Sequence, residues 1–121
     1  MPVSTLEKGL DAEQLACDYL GKKGLKILTR NFRCPRGEID IIMEHDNYIV
    51  FVEVRYRKNT HYGTGAETVT QTKQNKLITT AMYYLQSKPQ YRNRPSRFDV
   101  VSITTQASEP QIDWIKDAFQ N

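Results

Sequence analysis

The sequence predicts an α/β protein in which two helices flank a sheet. Two stretches place apolar side chains at helical spacing, and five others have the β-branched residues or the turn boundaries of strands. The predicted helices cover residues 5–20 and 68–86. The predicted strands cover residues 25–33, 38–43, 48–56, 97–103 and 111–115. At 121 residues the chain suits one domain, residues 1–121, with a single modest core.

The first predicted helix has a recognisable start and end. Ser4 and Glu7 have the spacing of a capping box, which satisfies the free amide groups at a helix N-terminus. Gly21 or Gly24 can adopt the left-handed conformation that ends a helix. Its apolar face consists of Leu6, Leu10, Ala16 and Leu20.

Turn residues separate the strands and place the second helix after them. The segment 34–37, Cys-Pro-Arg-Gly, predicts a tight turn, because proline presets one turn position and glycine relaxes another. A helix then follows the third strand, and its apolar residues fall on one side of it. These residues are Leu77, Ile78, Ala81, Tyr84 and Leu85.

Basic residues are clustered although the net charge is only +3. The clusters lie at 30–36, 55–58 and 91–97, and aromatic residues are interleaved with them. Such clusters suit a phosphate backbone, and equally they suit a solvated surface that keeps the protein soluble. In the first interpretation the residues that contact nucleic acid are Arg33, Arg36, Arg57 and Lys58.

Composition argues against a membrane or disulfide-bonded protein. No apolar run approaches the length that spans a bilayer, and the first residues lack the pattern of a signal peptide. We therefore expect a cytoplasmic protein with no membrane partner. Cys17 and Cys34 are expected to be reduced thiols, and their spacing does not suggest a zinc site.

Acidic residues occupy the most strand-like part of the chain, residues 37–57. If the turn between its two strands is the two-residue loop 46–47, the register pairs Asp40 with Glu53 and Glu38 with Arg55. Because side chains alternate along a strand, all four would project from the same face of the sheet.

Two directly opposed carboxylates repel each other, so a compensating group is expected. One interpretation is Mg²⁺, which prefers oxygen ligands; Asp40, Glu53 and the Val54 carbonyl would form half of its coordination shell. The alternative is an ion-paired hairpin face, in which Arg55 and Arg57 form ion pairs with the two acids. If the acids repel without metal, Glu53→Gln is expected to leave stability unchanged or to raise it.

The same residues resemble a nuclease signature. Asp40 followed by Glu53-Val54-Arg55 is similar to the PD-(D/E)-x-K pattern, with arginine in place of the lysine. The segments GLDAEQLACDYL, NFRCPRGEIDII, VFVEVRYR, TKQNKL and RFDVV together resemble the bacterial YraN family, from about residue 9 to residue 119. That resemblance implies a restriction-endonuclease-like αβββαβ core, a mixed central sheet flanked by helices, similar to that of archaeal Holliday junction resolvases.

The resemblance also implies a metal-dependent site. Glu13, Asp40 and Glu53 match the acids expected to bind Mg²⁺ or Mn²⁺. Arg55 and Lys73 match positions expected to act on the phosphate, although arginine does not readily lose a proton and is a poor general base. For Glu13 and Lys73, an ordinary solvated side chain is the alternative.

Three further residues match the family pattern with less defined roles. Glu38 is expected either to contact the metal through water or to pair with Arg55, and Gln71 is a weaker candidate for assisting the site. Asp99 is expected to form a structural salt bridge with Arg97, the alternative being a supporting role behind the metal ligands.

These expectations lead to a functional hypothesis and two alternatives. The resemblance implies a Mg²⁺-dependent endonuclease that acts on DNA, branched or single-stranded, and that forms a homodimer. The first alternative is a nucleic-acid-binding module that kept the fold without efficient chemistry, which the arginine at position 55 favours. The second is a structural or partner-binding protein.

Overall fold

A computed structural model describes residues 10–57, 69–106 and 109–120. The capping box expected at the start of the first helix lies outside these residues. The described chain forms two helices, a 3₁₀ turn at Pro89–Tyr91 and five strands. The helices are α1, Leu10–Lys22, and α2, Gln71–Gln86. The strands are β1, Lys26–Cys34; β2, Gly37–His45; β3, Tyr48–Arg57; β4, Ser96–Gln106; and β5, Glu109–Phe119.

The five strands form one mixed sheet in the order β1-β2-β3-β4-β5. Neighbouring strands are antiparallel except β3 and β4, which are parallel. Parallel neighbours need a long crossover, and here the crossover contains α2. The predicted α/β fold is therefore confirmed, and the arrangement is consistent with a restriction-endonuclease-like αβββαβ core.

Each face of the sheet carries its own hydrophobic core. Helix α1 packs on one face, where Ala16 and Leu20 meet Val50 and Val52 of β3. Helix α2 packs on the other face, where Tyr84 and Leu77 are among the buried residues that join Phe51. Alternate residues of β3 thus supply both cores, which is why its first half is apolar without interruption.

The last strand is longer than the sequence predicted. Strand β5 pairs with β4 from Gln106↔Glu109 to Phe98↔Phe119, whereas only residues 111–115 were expected. It lies at the edge of the sheet and is mostly exposed, so a short apolar run understates its length. The irregularity near Phe98 coincides with a positive φ at Asp117, 54°.

Both hairpins turn over two residues. His45 pairs with Tyr48, so the β2–β3 turn is Asp46-Asn47 as predicted, with a φ of 55° at Asp46. Cys34 pairs with Gly37 across the other predicted turn. Cys17 and Cys34 are free thiols. Within the described ranges, neither helix is long and apolar enough to cross a membrane.

The side-chain alternation of β1 and β2 changes phase at one point. In β2, Ile39 belongs to the core under α2, whereas Ile41 belongs to the core under α1. In β1, Phe32 packs in the core under α2, opposite Ile39, and the preceding residue, Asn31, has a φ of 54°. The two strands therefore shift together, and Asp40 lies at the position of the shift.

Candidate functional site

The observed β2–β3 ladder ends one position before the predicted pair of Asp40 with Glu53. Strands β2 and β3 pair from His45↔Tyr48 to Ile41↔Val52, and the next positions in the same register are Asp40 and Glu53. Glu53 follows Phe51 on the face of β3 that meets α2, and it is buried, with 6% of its surface exposed.

The side chain of Asp40 contacts β3 at the end of the β2–β3 ladder. Its Oδ2 accepts a hydrogen bond from the backbone N–H of Val54, at 3.1 Å. The carboxylate therefore takes the place of a backbone acceptor where β2 leaves the regular pairing. This contact fixes Asp40 against the middle strand of the sheet, beside Glu53.

The two acids are close enough to perturb each other. The pKa of the Asp40 carboxyl rises from its ordinary 3.8 to about 6, chiefly because the group is buried and then because Glu53 is negative. The charge of Glu13 raises it further, whereas the Val54 N–H and the Lys73 ammonium lower it. Asp40 is thus a carboxylate that a cation would stabilise.

Glu53 already has two cations beside it. Its Oε2 lies 3.2 Å from Lys73 Nζ and 3.5 Å from Arg55 Nη1. Lys73 is in the first turn of α2, and its backbone N–H donates to the Oγ1 of Thr70, the N-cap residue, at 3.2 Å. The cap thus fixes the helix turn from which the lysine reaches across to β3.

Glu13 lies near the acid pair but has a different partner. Its Oε1 is 3.5 Å from Arg30 Nη2, and both side chains are partly exposed. Within the ranges that the structure describes, no three His, Cys, Asp or Glu side chains are grouped closely enough to hold a metal ion. A site with Glu13 as a third acidic ligand therefore stays a prediction.

Two of the residues expected to assist the site point elsewhere. Glu38 was expected either to contact the metal through water or to pair with Arg55; its observed ion pair is with Arg33 of β1, at 3.0 Å between Oε1 and Nε. The phase change at Asp40 is the physical reason, because it rotates the start of β2 relative to β3. Gln71 donates to Asn75 within α2, at 2.9 Å, and is exposed.

The predicted nucleic-acid contacts divide between two regions. Arg33 and Arg36 lie at the β1–β2 turn, next to Lys76 of α2. Arg57 is the last residue of β3, and Lys58 lies outside the described residues. The sequence motifs did not single out Lys76, although its spacing of three from Lys73 places both on one side of a helix.

A second polar cluster, on the opposite face of the sheet, is structural. Arg97 and Asp99 form the expected salt bridge, 3.1 Å from Nε to Oδ1, and Asp99 is fully buried. Asp99 also accepts from Trp114 Nε1 at 2.9 Å and from the N–H of Asp117 at 2.8 Å. A buried carboxylate that accepts its hydrogen bonds from groups of the protein itself is fixed in place and does not need a ligand.

The acid pair has a donor set that fits Mg²⁺ or Mn²⁺. Hard divalent ions of this kind often take one or two protein carboxylates and complete their shells with water and substrate phosphate. Asp40 and Glu53 can supply those carboxylates, and burial together with the charge of Glu53 raises the pKa of Asp40 to about 6. Lys73 and Arg55, beside Glu53, are placed to meet phosphate oxygens.

The fold is that of an α/β protein and is consistent with a restriction-endonuclease-like core. The model of Uncharacterised protein family UPF0102 matches residues 12–103, and the chain therefore belongs to that family, which is the YraN family. A UPF0102 protein of Nitrosococcus oceani is 45% identical over 119 residues, covering 98% of this chain and 96% of that protein. A relative in Coxiella burnetii is also 45% identical and covers 96% and 94%.

One solved structure shows a weaker likeness. It is SfsA of Pyrococcus furiosus in complex with Ca²⁺, which aligns with 93% of this chain and 63% of its own. The identity is 10% and the TM-score is 0.35, which is too low to assign a shared fold or ligand.

Proposed function

We propose that the protein is a metal-dependent endonuclease that hydrolyses DNA phosphodiester bonds, with branched or single-stranded DNA as its substrate. The observation that carries the proposal is the acid pair on β2 and β3, where Asp40 is held by Val54 and Glu53 is met by two cations. This placement matches the PD-(D/E)-x-K signature that the sequence resembles.

In this proposal Asp40 and Glu53 hold Mg²⁺ or Mn²⁺, with Glu13 as a further ligand. When bound, the metal supplies Lewis-acid activation of the phosphate and lowers the pKa of a water molecule. Asp40 is available as a ligand at neutral pH, because its raised pKa of about 6 still leaves it mostly ionised at pH 7.

Lys73 and Arg55 divide the work that a single lysine does in the signature. Arg55 binds phosphate oxygens with two parallel donors and stays charged throughout. Lys73 approaches the same acid from α2, at 3.2 Å, and its ammonium is a compact positive charge for a phosphate oxygen. Lys73 thus brings a lysine to the site although position 55 is an arginine.

A second candidate function rests on the same two cations. Lys73 and Arg55 already offset the charge of Glu53, so the site is satisfied in part without metal. A protein of this kind would bind nucleic acid through its basic residues and not cut it. Cation binding separates the two candidates, since only the endonuclease requires the metal.

The test uses purified protein with labelled duplex, single-stranded and four-way-junction DNA, in Mg²⁺, Mn²⁺ or EDTA. We expect cleavage in the presence of either metal, none in EDTA, and a loss of at least about 100-fold in Glu53→Gln and Asp40→Asn, as for a group acting in the transition state. Glu44→Gln is the matched control, because Glu44 lies on β2 but pairs with Arg94 at the β2–β3 turn.

Each outcome has a definite meaning. Salt-sensitive binding without cleavage under all metal conditions would favour the binding module, and no binding to any of the DNAs would reject both candidates. Equal activity in Glu53→Gln and Glu44→Gln would show that the cleavage comes from elsewhere. Sedimentation of the same preparations tests the homodimer, and fractionation of cells tests the cytoplasmic location; both belong to the proposal.

A further inference from the structure

A depression lies between the β1–β2 turn, which precedes Asp40 along β2, and α2, which carries Lys73. It has a volume of about 390 Å³ and is lined by residues 33–38 together with Lys76. We propose that Arg36 and Lys76 bind there a backbone phosphate of the DNA strand whose scissile phosphate occupies the acid site. This inference rests on the part of the proposed function that places a DNA strand at the acid site, and it does not require that the strand be cleaved.

The charges in the depression favour an anion. The charge of Arg33 is offset by Glu38, 3.0 Å away. Among the residues that the structure describes, the side chains of Arg36 and Lys76 have no ion-pair or hydrogen-bond partner. Both are exposed, so they are available to a ligand from solution.

The spacing along α2 connects the depression to the acid site. Lys73 and Lys76 are three residues apart, which places their Cβ atoms roughly 5–6 Å apart on one side of the helix. Along one DNA strand, phosphates follow at about 3.4 Å per nucleotide of helix axis. A strand with one phosphate at Lys73 therefore presents another to Lys76 within one or two nucleotides.

The turn is held against the helix at a fixed distance. A Cβ at Gly37 would lie 2.9 Å from Thr80 Oγ1, so only a glycine lets β2 approach α2 this closely. Thr80 Oγ1 in turn donates to the backbone carbonyl of Lys76 at 2.7 Å. Arg36 precedes Gly37 in the sequence and therefore lies close to the helix turn that contains Lys76.

The test compares two double variants that lose the same charge. Arg36→Gln with Lys76→Gln removes the proposed phosphate contacts. Lys22→Gln with Lys26→Gln is the control, because these exposed lysines lie at the opposite end of β1. A fluorescent single-stranded oligonucleotide is titrated in EDTA over a series of salt concentrations, so that binding is measured without cleavage, and thermal melting checks that both variants fold.

We expect the Arg36/Lys76 variant to bind more weakly and to lose about 0.7 from the slope of log affinity against log salt, the value for one phosphate contact on a single strand. The control is expected to keep the wild-type slope. An unchanged slope in the first variant, or an equal loss in both, would overturn the inference, as would the absence of binding by the wild type. Binding with the expected slopes but no cleavage in metal would leave this inference standing and reject the endonuclease.

Discussion

Asp40 and Glu53 are neighbours with different electrostatic environments. Glu53 is buried but has Lys73 and Arg55 within 3.5 Å. Asp40 receives one backbone N–H, and both burial and the charge of Glu53 oppose its ionisation. The pair is therefore unequal, and most of its electrostatic cost falls on Asp40.

This inequality predicts a pH-dependent stability. Because the pKa of Asp40 is higher in the folded protein, about 6 against 3.8, its contribution to stability is full below about pH 4 and is lost as the pH rises past 6. Asp40→Asn removes this dependence and keeps an acceptor for Val54. We expect the metal-free variant to be more stable than the wild type at pH 7, by up to about 3 kcal/mol, in urea denaturation.

Glu53→Gln provides the comparison. The sequence alone suggested that this change would leave stability unchanged or raise it. The contacts with Lys73 and Arg55 alter that expectation, because the substitution removes two ion pairs together with the repulsion of Asp40. A gain in Glu53→Gln as large as that in Asp40→Asn, or no gain in Asp40→Asn at pH 7, would contradict the unequal pair.

The hairpins and α2 bring the parts of the site together. The β2–β3 hairpin carries both acids, and its two-residue turn sets their register. Helix α2 adds Lys73 and Lys76 from a turn capped by Thr70. The position of these cations relative to the acids depends on how closely the β1–β2 turn approaches the helix, and Gly37 allows that approach.

Gly37→Ala is expected to destabilise the protein by about 1 to 3 kcal/mol, the usual cost of an added group in a tightly packed place. The new Cβ would lie 2.9 Å from the Oγ1 of the buried Thr80, and the φ of Gly37, 155°, disfavours a side chain. Thermal or urea unfolding measures the loss.

The double variant Gly37→Ala/Thr80→Ala tests the cause. It removes the clashing oxygen, and the next atom, the Lys76 carbonyl oxygen, is 3.9 Å from the Cβ. The alanine at 37 should therefore cost less in the Thr80→Ala background than in the wild type. An equal cost in both backgrounds would assign the whole effect to the backbone conformation.

The two faces of the sheet have separate tasks at the scale of the whole molecule. On the side of the sheet under α2, the buried Glu53 contacts Arg55 of β3 and Lys73 of α2. These two cations are partly exposed, so a ligand can reach them. On the other face, Arg97 and Asp99 are buried and complete their hydrogen bonds within the protein. The candidate site thus lies on one face, and the cluster that fixes β5 lies on the other.

Asp99→Ala is expected to cost about 3 to 5 kcal/mol of unfolding free energy, because it leaves buried Arg97 without its carboxylate. It also takes the acceptor from Trp114 and from the Asp117 N–H. Asp99→Asn, which keeps the size of the side chain, is the milder variant if alanine does not fold. Urea unfolding measures the loss, and a loss below about 1 kcal/mol in Asp99→Ala would contradict the structural role.

DNA binding by folded Asp99→Asn is expected to match that of the wild type, since Asp99 lies on the opposite face from Glu53. A selective loss of DNA binding in a stably folded variant would instead join this cluster to the candidate site.

Much of this organisation follows from the sequence because it depends on periodic patterns. The order of the elements and the two-residue turn follow from hydrophobic patterns and turn residues, whereas the mixed sheet was implied by the family resemblance. The phase change does not, because it depends on one backbone conformation at Asn31, which no hydrophobic pattern reveals. The ion pair of Glu38 with Arg33 was likewise not foreseen, and the contact of Lys73 with Glu53 depends on how the helix docks on the sheet.

The hydrogen bond from Val54 to Asp40 has a spectroscopic consequence. An amide proton that points at a carboxylate oxygen changes its chemical shift when that carboxylate is protonated or when it binds a cation. The Val54 resonance should therefore follow the ionisation of Asp40, with a midpoint near pH 6, from a backbone position in the middle of the sheet. One NMR signal can thus report the protonation and the occupancy of the whole acid pair, without any substitution in it.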